Sequence, residues 1–399
     1  MRNLSLILVA GLATATQAQA QTIQLKPLVE ARVRAETVDQ TGLPLDTTAL
    51  TIRARAGVEV SHGRWSALVE GQGILALIDR YFDGLEAASG RPIVADPQSI
   101  ALSRALIRYR ARTLTVTAGR QRFVIDDERF VGAVGFRQNG QSFNAVRAEW
   151  TGIAGLKAGI SYAWSVRTIW GIDGAGSRPE SIGGDNVFAN LGYTTPIGTL
   201  SGFAYRVDQD GFNPRMSSLT AGVRLAGTRP LSPAVRLAYQ LSYARQSDDG
   251  GNPNDYDADY GLVDVTLDEH GFRLGAGYEV LEASDGVALT SFQTPLATGF
   301  KFQGWADKFL TTPADGVRDL YGTLGYGRPS FAGLSDVRVQ ATYHRFDSDR
   351  VVRHYGDELN LLASARSGKF TFSARYAEYF ADRFASDTRK LWLQLDWTI

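Results

Sequence analysis

The stretch Val29-Glu30-Ala31-Arg32-Val33-Arg34-Ala35-Glu36 decides the fold, because small apolar residues alternate strictly with charged ones. The same period of two returns in residues 52–60 and again in residues 391–399 at the end of the chain. Successive side chains of a β-strand point to opposite faces, so this period predicts strands with one apolar and one charged face. Many such strands, without a helical stretch, predict an all-β transmembrane antiparallel up-and-down barrel with a polar lumen.

Residues 1–20 have the composition of a cleaved signal peptide. Arg2 supplies the positive start, residues 4–13 the apolar core, and Ala18-Gln19-Ala20 the small-residue cleavage pattern. We therefore expect an exported chain that begins at Gln21 and forms one barrel domain over residues 21–399 in the outer membrane of a Gram-negative-type cell. The expected partners are outer-membrane lipid, lipopolysaccharide and the barrel-assembly machinery, and the expected state is a monomer.

Composition narrows the chemistry further. The chain has no cysteine, which excludes disulfides and thiolate metal sites, and its 42 basic and 42 acidic side chains cancel, so nothing suggests nucleic acid. Lysine occurs at only six positions, which leaves 36 arginines among the cations. Arginine presents a planar fork that matches a carboxylate. A GC-rich genome also favours arginine codons, but it would not place the arginines on one strand face.

Turn residues divide the chain into regular segments. Eight short turns, rich in Gly, Pro, Asn and Asp, alternate with nine longer polar stretches, and this alternation predicts 18 strands with both termini on the short-turn, periplasmic side. The long stretches are predicted to be extracellular loops at about 39–48, 82–98, 125–141, 168–186, 208–216, 246–256, 284–316, 346–356 and 384–389.

The alternation also assigns side chains to the two faces. Ile160, Tyr162, Trp164 and Val166 are expected to face lipid. Charged residues of the opposite face are expected in the lumen, and its arginines include Arg32, Arg34, Arg53, Arg55, Arg104, Arg108, Arg110, Arg147, Arg167, Arg206, Arg224 and Arg375.

A lumen with more arginine than acid in the first strands would focus positive potential and attract anions. Extended anions such as uronate-type oligo- or polysaccharides would meet several carboxylate partners in series. A generic polar lumen, in which arginines and acids pair across strands and stiffen the wall, is the alternative. The residues predicted to contact the solute are Arg32, Arg34, Arg53, Arg55, Arg104, Arg108, Arg110, Arg120, Arg122, Arg129, Arg137 and Arg147.

Two segments resemble the alginate export family of outer-membrane barrels. The first runs through Gly119-Arg120-Gln121-Arg122-Phe123, Asp127 to Gly132 and Phe136-Arg137-Gln138-Asn139 to Phe143-Asn144-Ala145-Val146-Arg147; the second runs from Phe292 to Thr298 and from Lys301 to Leu310, then on to Tyr321. The resemblance implies an 18-stranded monomer with an arginine-lined conduit for an anionic polysaccharide, gated by loops. The chain has little room for a large periplasmic loop, which leaves uptake of smaller anions open.

The 284–316 stretch is the longest predicted loop. Its aromatic residues and the cations Lys301 and Lys308, with Trp305 between them, are expected to fold inward and gate the pore. The alternative is an apolar lid on the barrel rim that has no gating role.

Enzyme activity is not expected. The four histidines lie in turns, in a loop or singly on a strand, and no nucleophile-elbow pattern accompanies them. The acidic stretch at 248–259 does not follow the calcium-loop spacing, so no metal, cofactor or catalytic residue is predicted. Within transport, a general or aromatic-compound porin is the alternative; outside transport, it is a plugged structural barrel or adhesin.

Overall fold

The computed structural model describes residues 22–86, 90–209 and 211–399. The predicted signal peptide lies outside them. Within these ranges the chain forms strands β1 to β18, which are Gln24–Gln40, Thr47–His62, Trp65–Arg80, Ser99–Arg110, Leu114–Gln121, Ser142–Ile153, Leu156–Arg167, Ser181–Thr195, Gly198–Val207, Ser218–Pro230, Val235–Asp248, Asp257–Glu269, Phe272–Leu281, Val317–Phe331, Leu334–Asp347, His354–Ser367, Phe370–Ala381 and Thr388–Thr398.

Each strand pairs antiparallel with its neighbour in the chain, and β18 pairs with β1 from Glu30↔Thr398 to Gln40↔Thr388. The sheet is therefore closed, which leaves no strand edge unpaired. The predicted fold class and the predicted number of strands are confirmed. In the same described ranges, no helix is long and apolar enough to cross a membrane.

Connections alternate in length as the turn residues predict. Tight turns place Gly63, Gly155 and His270 at positive φ, a conformation that favours glycine and that His270 adopts at 48°. The opposite ends carry the long connections, and two of these matter for function. We call residues 122–141, between β5 and β6, the first inner loop, and residues 282–316, between β13 and β14, the second inner loop.

The outer wall is apolar, as expected of a surface that faces lipid. Leu274 and Phe272 of β13, for example, are each 61% exposed. One outward assignment is wrong, because the register between β7 and β8 shifts around Trp164. This β-bulge reverses the alternation, so that Val166 points inward and is 2% exposed.

The inside of the barrel contains an apolar core of its own. Phe143, Phe188 and Tyr260, from three separate strands, pack with Phe123 at the start of the first inner loop and with Phe292 of the second. These rings line the extracellular half of the lumen because the inner loops fill that half with apolar side chains. We call the part of the lumen outside this apolar core, where charged side chains line the wall, the passage.

Candidate functional site: an arginine-lined constriction

The two inner loops meet inside the barrel. Val131 of the first forms a parallel β-bridge with Leu296 of the second, and the Gly132 N–H donates to the Leu296 carbonyl at 2.9 Å. Lys301 Nζ then lies 2.9 Å from the Glu128 carboxylate. The predicted inward folding of the long loop is therefore seen in the structure, and together the loops form one constriction.

A buried ion pair ties the first inner loop to the far wall. Arg129 Nε lies 2.6 Å from Glu279 Oε1 on β13, and both side chains are 2–3% exposed. The guanidinium also stacks over Phe302 at 4.7 Å and donates to Thr294 at 3.2 Å. Burial alone would lower the pKa of Arg129, but the Glu279 carboxylate and the Tyr260 hydroxyl raise it above its ordinary value. The guanidinium therefore stays charged.

A second buried cluster joins the two loops to the β1–β18 wall. Arg137 Nη2 lies 2.6 Å from Asp307 Oδ2, and Lys390 Nζ of β18 lies 3.1 Å from the same oxygen. Glu36 of β1 is 3.7 Å from Arg137 Nη1. Burial opposes the charge of Arg137, but Asp307 and Glu36 raise its pKa above the ordinary value. Removing either carboxylate would leave a buried charge without its partner, which is costly.

Glu358 of β16 anchors the second inner loop through its backbone. Its Oε1 accepts the N–H groups of Trp305 at 2.5 Å and Ala306 at 2.9 Å. These bonds hold Trp305 inside the barrel, and gating by Lys301, Trp305 and Lys308 stays a prediction.

Lys308, the third predicted gate residue, is pinned as well, because its Nζ lies 2.6 Å from Thr388 Oγ1 at the start of β18. Burial and the neighbouring Lys390 lower the pKa of Lys308 to about 8. This cation therefore titrates close to physiological pH, although the ordinary lysine value is 10.5.

Beside the first inner loop, one carboxylate of the strand wall binds two arginines, and one of them, Arg53, also donates to the Arg137 carbonyl of that loop at 3.5 Å. Glu30 Oε1 of β1 accepts from Arg55 Nη1 at 2.6 Å and from Arg53 Nη2 at 3.1 Å, both on β2. The two arginines are 3–5% exposed, whereas the Glu30 side chain keeps 30% of its surface exposed. Arg53, Arg55 and Glu30 together carry one net positive charge. This charge raises the electrostatic potential of the lumen although both guanidinium groups are buried.

The same sharing recurs one strand pair further on. Glu70 of β3 is bound by Arg104 of β4 and, at 2.8 Å, by Arg122 Nη2 of the first inner loop. Here the arginines are 24% and 21% exposed and the carboxylate is 3% exposed, so the positive groups face the water. Burial and the nearby Arg55 lower the pKa of Arg122 to about 10, where it remains charged at neutral pH.

Arg32 and Arg34 reach from β1 to the tip of the first inner loop. Arg32 Nη1 donates to the carbonyls of Gly135 at 3.1 Å and Phe136 at 3.0 Å, and its Nε binds Asp396 at 2.7 Å. Arg34 also donates to the Phe136 carbonyl, but its side chain is only 1% exposed. Arg32 therefore borders the passage, while Arg34 holds the loop against the wall.

The remaining predicted arginines of the wall lie along the passage. Arg108 Nη1 is 3.6 Å from Glu59, and Arg147 Nη2 is 3.0 Å from Glu149 with its guanidinium over Phe123. Arg110 is exposed at the periplasmic end of β4.

Three arginines predicted to line the lumen do not. Arg120 pairs with Ala105 and Asn144 on the outward face of β5, where its Nε donates to Asn144 Oδ1 at 3.0 Å. Arg167 faces outward because the bulge at Trp164 has reversed the alternation of β7.

Arg206 is outward for a different reason. Its neighbours Phe203 and Tyr205 on β9 face the lumen, where both contact Phe130 of the first inner loop. An aromatic face would ordinarily meet lipid in such a barrel. The apolar filling of the lumen inverts that rule here and turns Arg206 to the outer surface, beside Asp249 at 2.5 Å.

Sequence reasoning missed two carboxylate sites of the constriction. Asp96, in the loop after β3, is fully buried and lies 3.1 Å from Arg34. Asp126 and Asp127 lie 3.9 and 3.6 Å from Arg224 of β10. Neither belongs to a strand, so periodicity carries no signal for them. Within residues 22–86, 90–209 and 211–399, no cluster of His, Cys, Asp and Glu is arranged to hold a metal ion.

No protein-family model and no curated protein matches the chain. Solved structures do match over almost its whole length. OccAB4 of Acinetobacter baumannii is 15% identical with a TM-score of 0.71, covering 95% of this chain and 98% of its own. OccK9 (OpdG) of Pseudomonas aeruginosa is 14% identical with a TM-score of 0.71, covering 94% and 98%.

A third match is OccK2 (OpdF) of Pseudomonas aeruginosa, whose structure was determined in complex with glucuronate. It is 15% identical with a TM-score of 0.68, covering 94% of this chain and 96% of its own. These three structural neighbours are Occ/Opd porins, whereas the sequence segments pointed to the alginate export family. The chain therefore shares the closed β-barrel fold of outer-membrane porins.

Proposed function

We propose that this protein is an outer-membrane channel for anionic organic solutes, and that sugar acids of uronate type are the class it passes. The observation that carries the proposal is the sharing of Glu30 and of Glu70 by two arginines each. Each group keeps one uncompensated positive charge on the wall that faces the constriction. Such a wall, bordered by low-dielectric protein, attracts anions and repels cations.

The likeness in fold to OccK2 supports the solute class, since that porin was crystallised with glucuronate. The contacts between the two inner loops favour passage of monosaccharides and short oligosaccharides over long polysaccharides. Arg129 and Asp307, each buried in an ion pair that holds an inner loop, would both have to release their partners before a wide polymer could pass. Export of alginate itself would thus require a large displacement of both loops.

Planar-bilayer recording tests the proposal. The reversal potential in a KCl gradient should show preference for chloride, and glucuronate or short oligouronates should block the current where a neutral sugar of equal size does not. An open channel without ion preference would reduce the protein to a general porin. A channel that remains closed in every condition would indicate a plugged barrel.

A pair of variants tests whether the charges at Glu70 and Arg104 determine the ion preference. Glu70→Gln removes the shared carboxylate and should increase the preference for chloride, whereas Arg104→Gln should decrease it. Equal selectivity in both variants would contradict the assignment of the field to these groups.

A further inference from the structure

One lumen arginine differs from the arginines that share carboxylates on the wall. Arg375 projects inward from β17 and is only partly buried, and among the described residues no carboxylate lies within ion-pair distance of its guanidinium. Its Nη1 donates a hydrogen bond to Ser373 Oγ at 3.1 Å. Arg32 and Asp396, on the two strands beyond it, are already bound to each other at 2.7 Å.

This guanidinium lies against aromatic rings rather than acids. Its Cζ is 5.6 Å from the ring centroid of Phe136, at the tip of the first inner loop, and 6.0 Å from that of Trp305 in the second. A guanidinium within about 6 Å of an aromatic centroid is attracted by the ring, which fixes its direction without neutralising it. Arg375 therefore keeps a full positive charge and free donors.

The rings themselves form a rigid platform. Phe136 and Phe300 stack with centroids 3.4 Å apart, and Phe300 stacks on Trp305 at 5.8 Å and 15°. Trp392, fully buried in the wall, closes the edge of the stack at 5.7 Å from Phe300. Trp305 remains partly exposed inside the barrel. An arginine without an acidic partner thus stands beside a partly exposed indole whose position is set by packing.

From this juxtaposition we infer that Arg375 and Trp305 form a subsite selective for ring-shaped sugar acids. The guanidinium binds the carboxylate, and the indole receives the apolar C–H face of the pyranose ring. Two other wall arginines that lie over rings, Arg34 over Phe136 and Arg147 over Phe123, are each paired with an acid, so they do not offer a free charge beside a ring. The inference rests on the proposed anion channel and adds to it a preference for solute shape.

Glucuronate and gluconate make a matched pair of probes, because both are six-carbon hydroxy acids with one carboxylate but only the first is predominantly cyclic. Their permeability ratio is measured from reversal potentials in bilayers containing the full channel. A stacking contact of ordinary strength predicts a ratio of about threefold to tenfold in favour of glucuronate.

Three variants test which residues cause the preference for glucuronate over gluconate. Trp305→Leu, which keeps apolar volume and the backbone N–H bound by Glu358, should bring the ratio to about one without altering the preference for chloride over potassium. Arg375→Gln should lower permeation of both acids. Val287→Ala, at a residue 52% exposed in the same loop, should change neither.

The two proposals fail differently. A chloride-selective wild-type channel with a ratio of one overturns the subsite and leaves the anion channel standing. A channel without anion preference overturns both. A ratio that survives in Trp305→Leu places the discrimination elsewhere, and benzoate permeating as well as glucuronate would show a general aromatic-acid site in place of one for sugar acids.

Discussion

The Arg129–Glu279 pair offers the most direct test of the constriction. Replacing Arg129 by Met removes one partner of a pair that is 2–3% exposed, with the two charged atoms 2.6 Å apart. Breaking a buried pair from one side costs about 3–5 kcal/mol, because the remaining charge stays buried. Glu279 keeps its hydrogen bonds from Tyr260 and Gln303. We therefore expect the lower end of that range.

That loss falls on the closed state of the first inner loop and not on the barrel, whose strand pairing does not involve Arg129. A loss of about 3 kcal/mol raises the population of the released loop roughly a hundredfold. Single-channel recording should show frequent transitions to a larger conductance, and amide hydrogen exchange should speed up around residue 131 of the loop while the strands stay protected.

The double variant Arg129→Met with Glu279→Met is the control. Replacing both members of a buried pair by apolar residues is often neutral, so the released state should become rare again. Wild-type conductance and exchange in the single variant would refute the claim that this ion pair holds the loop, and so would a double variant as perturbed as the single one.

Three further predictions concern charge. Arg104→Gln combined with Arg122→Gln removes both guanidinium groups that share Glu70, so chloride preference should fall severalfold or reverse in reversal-potential measurements. Arg120→Gln, on the outward face, should leave that preference unchanged, and a large effect would contradict the assigned strand face. The pKa of Lys308, about 8, means that the channel loses one lumen charge between pH 7 and pH 9. Chloride preference should therefore fall across that interval and stay level in Lys308→Met. The native protein binds fewer protons than the unfolded chain between the two pKa values of this lysine, so its contribution to stability should grow with pH there.

The barrel itself can be predicted from the sequence, because a closed antiparallel sheet needs only strands with alternating polar and apolar residues and short turns between them. Gly63 and Gly155 mark tight turns, and the stretch around Arg32 and Arg34 marks a strand with unlike faces. These are local signals, and the pairing of each strand with the next follows from short connections. Strand number, closure and the positions of both inner loops were therefore predictable.

The errors in assigning strand faces have two physical origins, the apolar filling of the lumen and a β-bulge. Polar side chains face inward and apolar ones outward where water lines the wall. On β9, however, Phe203 and Tyr205 contact Phe130 inside the barrel, and Arg206 therefore lies outside. The bulge at Trp164 is likewise invisible to strict alternation. The sequence also does not predict which cations are paired with acids, because Asp96 and Asp307 lie in loops and reach Arg34 and Lys390 on the strands.

The first inner loop has a mechanical consequence as well. Its tip is held by Arg32 on β1, and its residue Arg129 is held by Glu279 on β13, so the loop connects two separate parts of the wall. A hollow cylinder of strands can flatten under lateral pressure, whereas a braced one keeps a round cross-section. Releasing the loop to widen the lumen would therefore also remove a brace from the barrel wall.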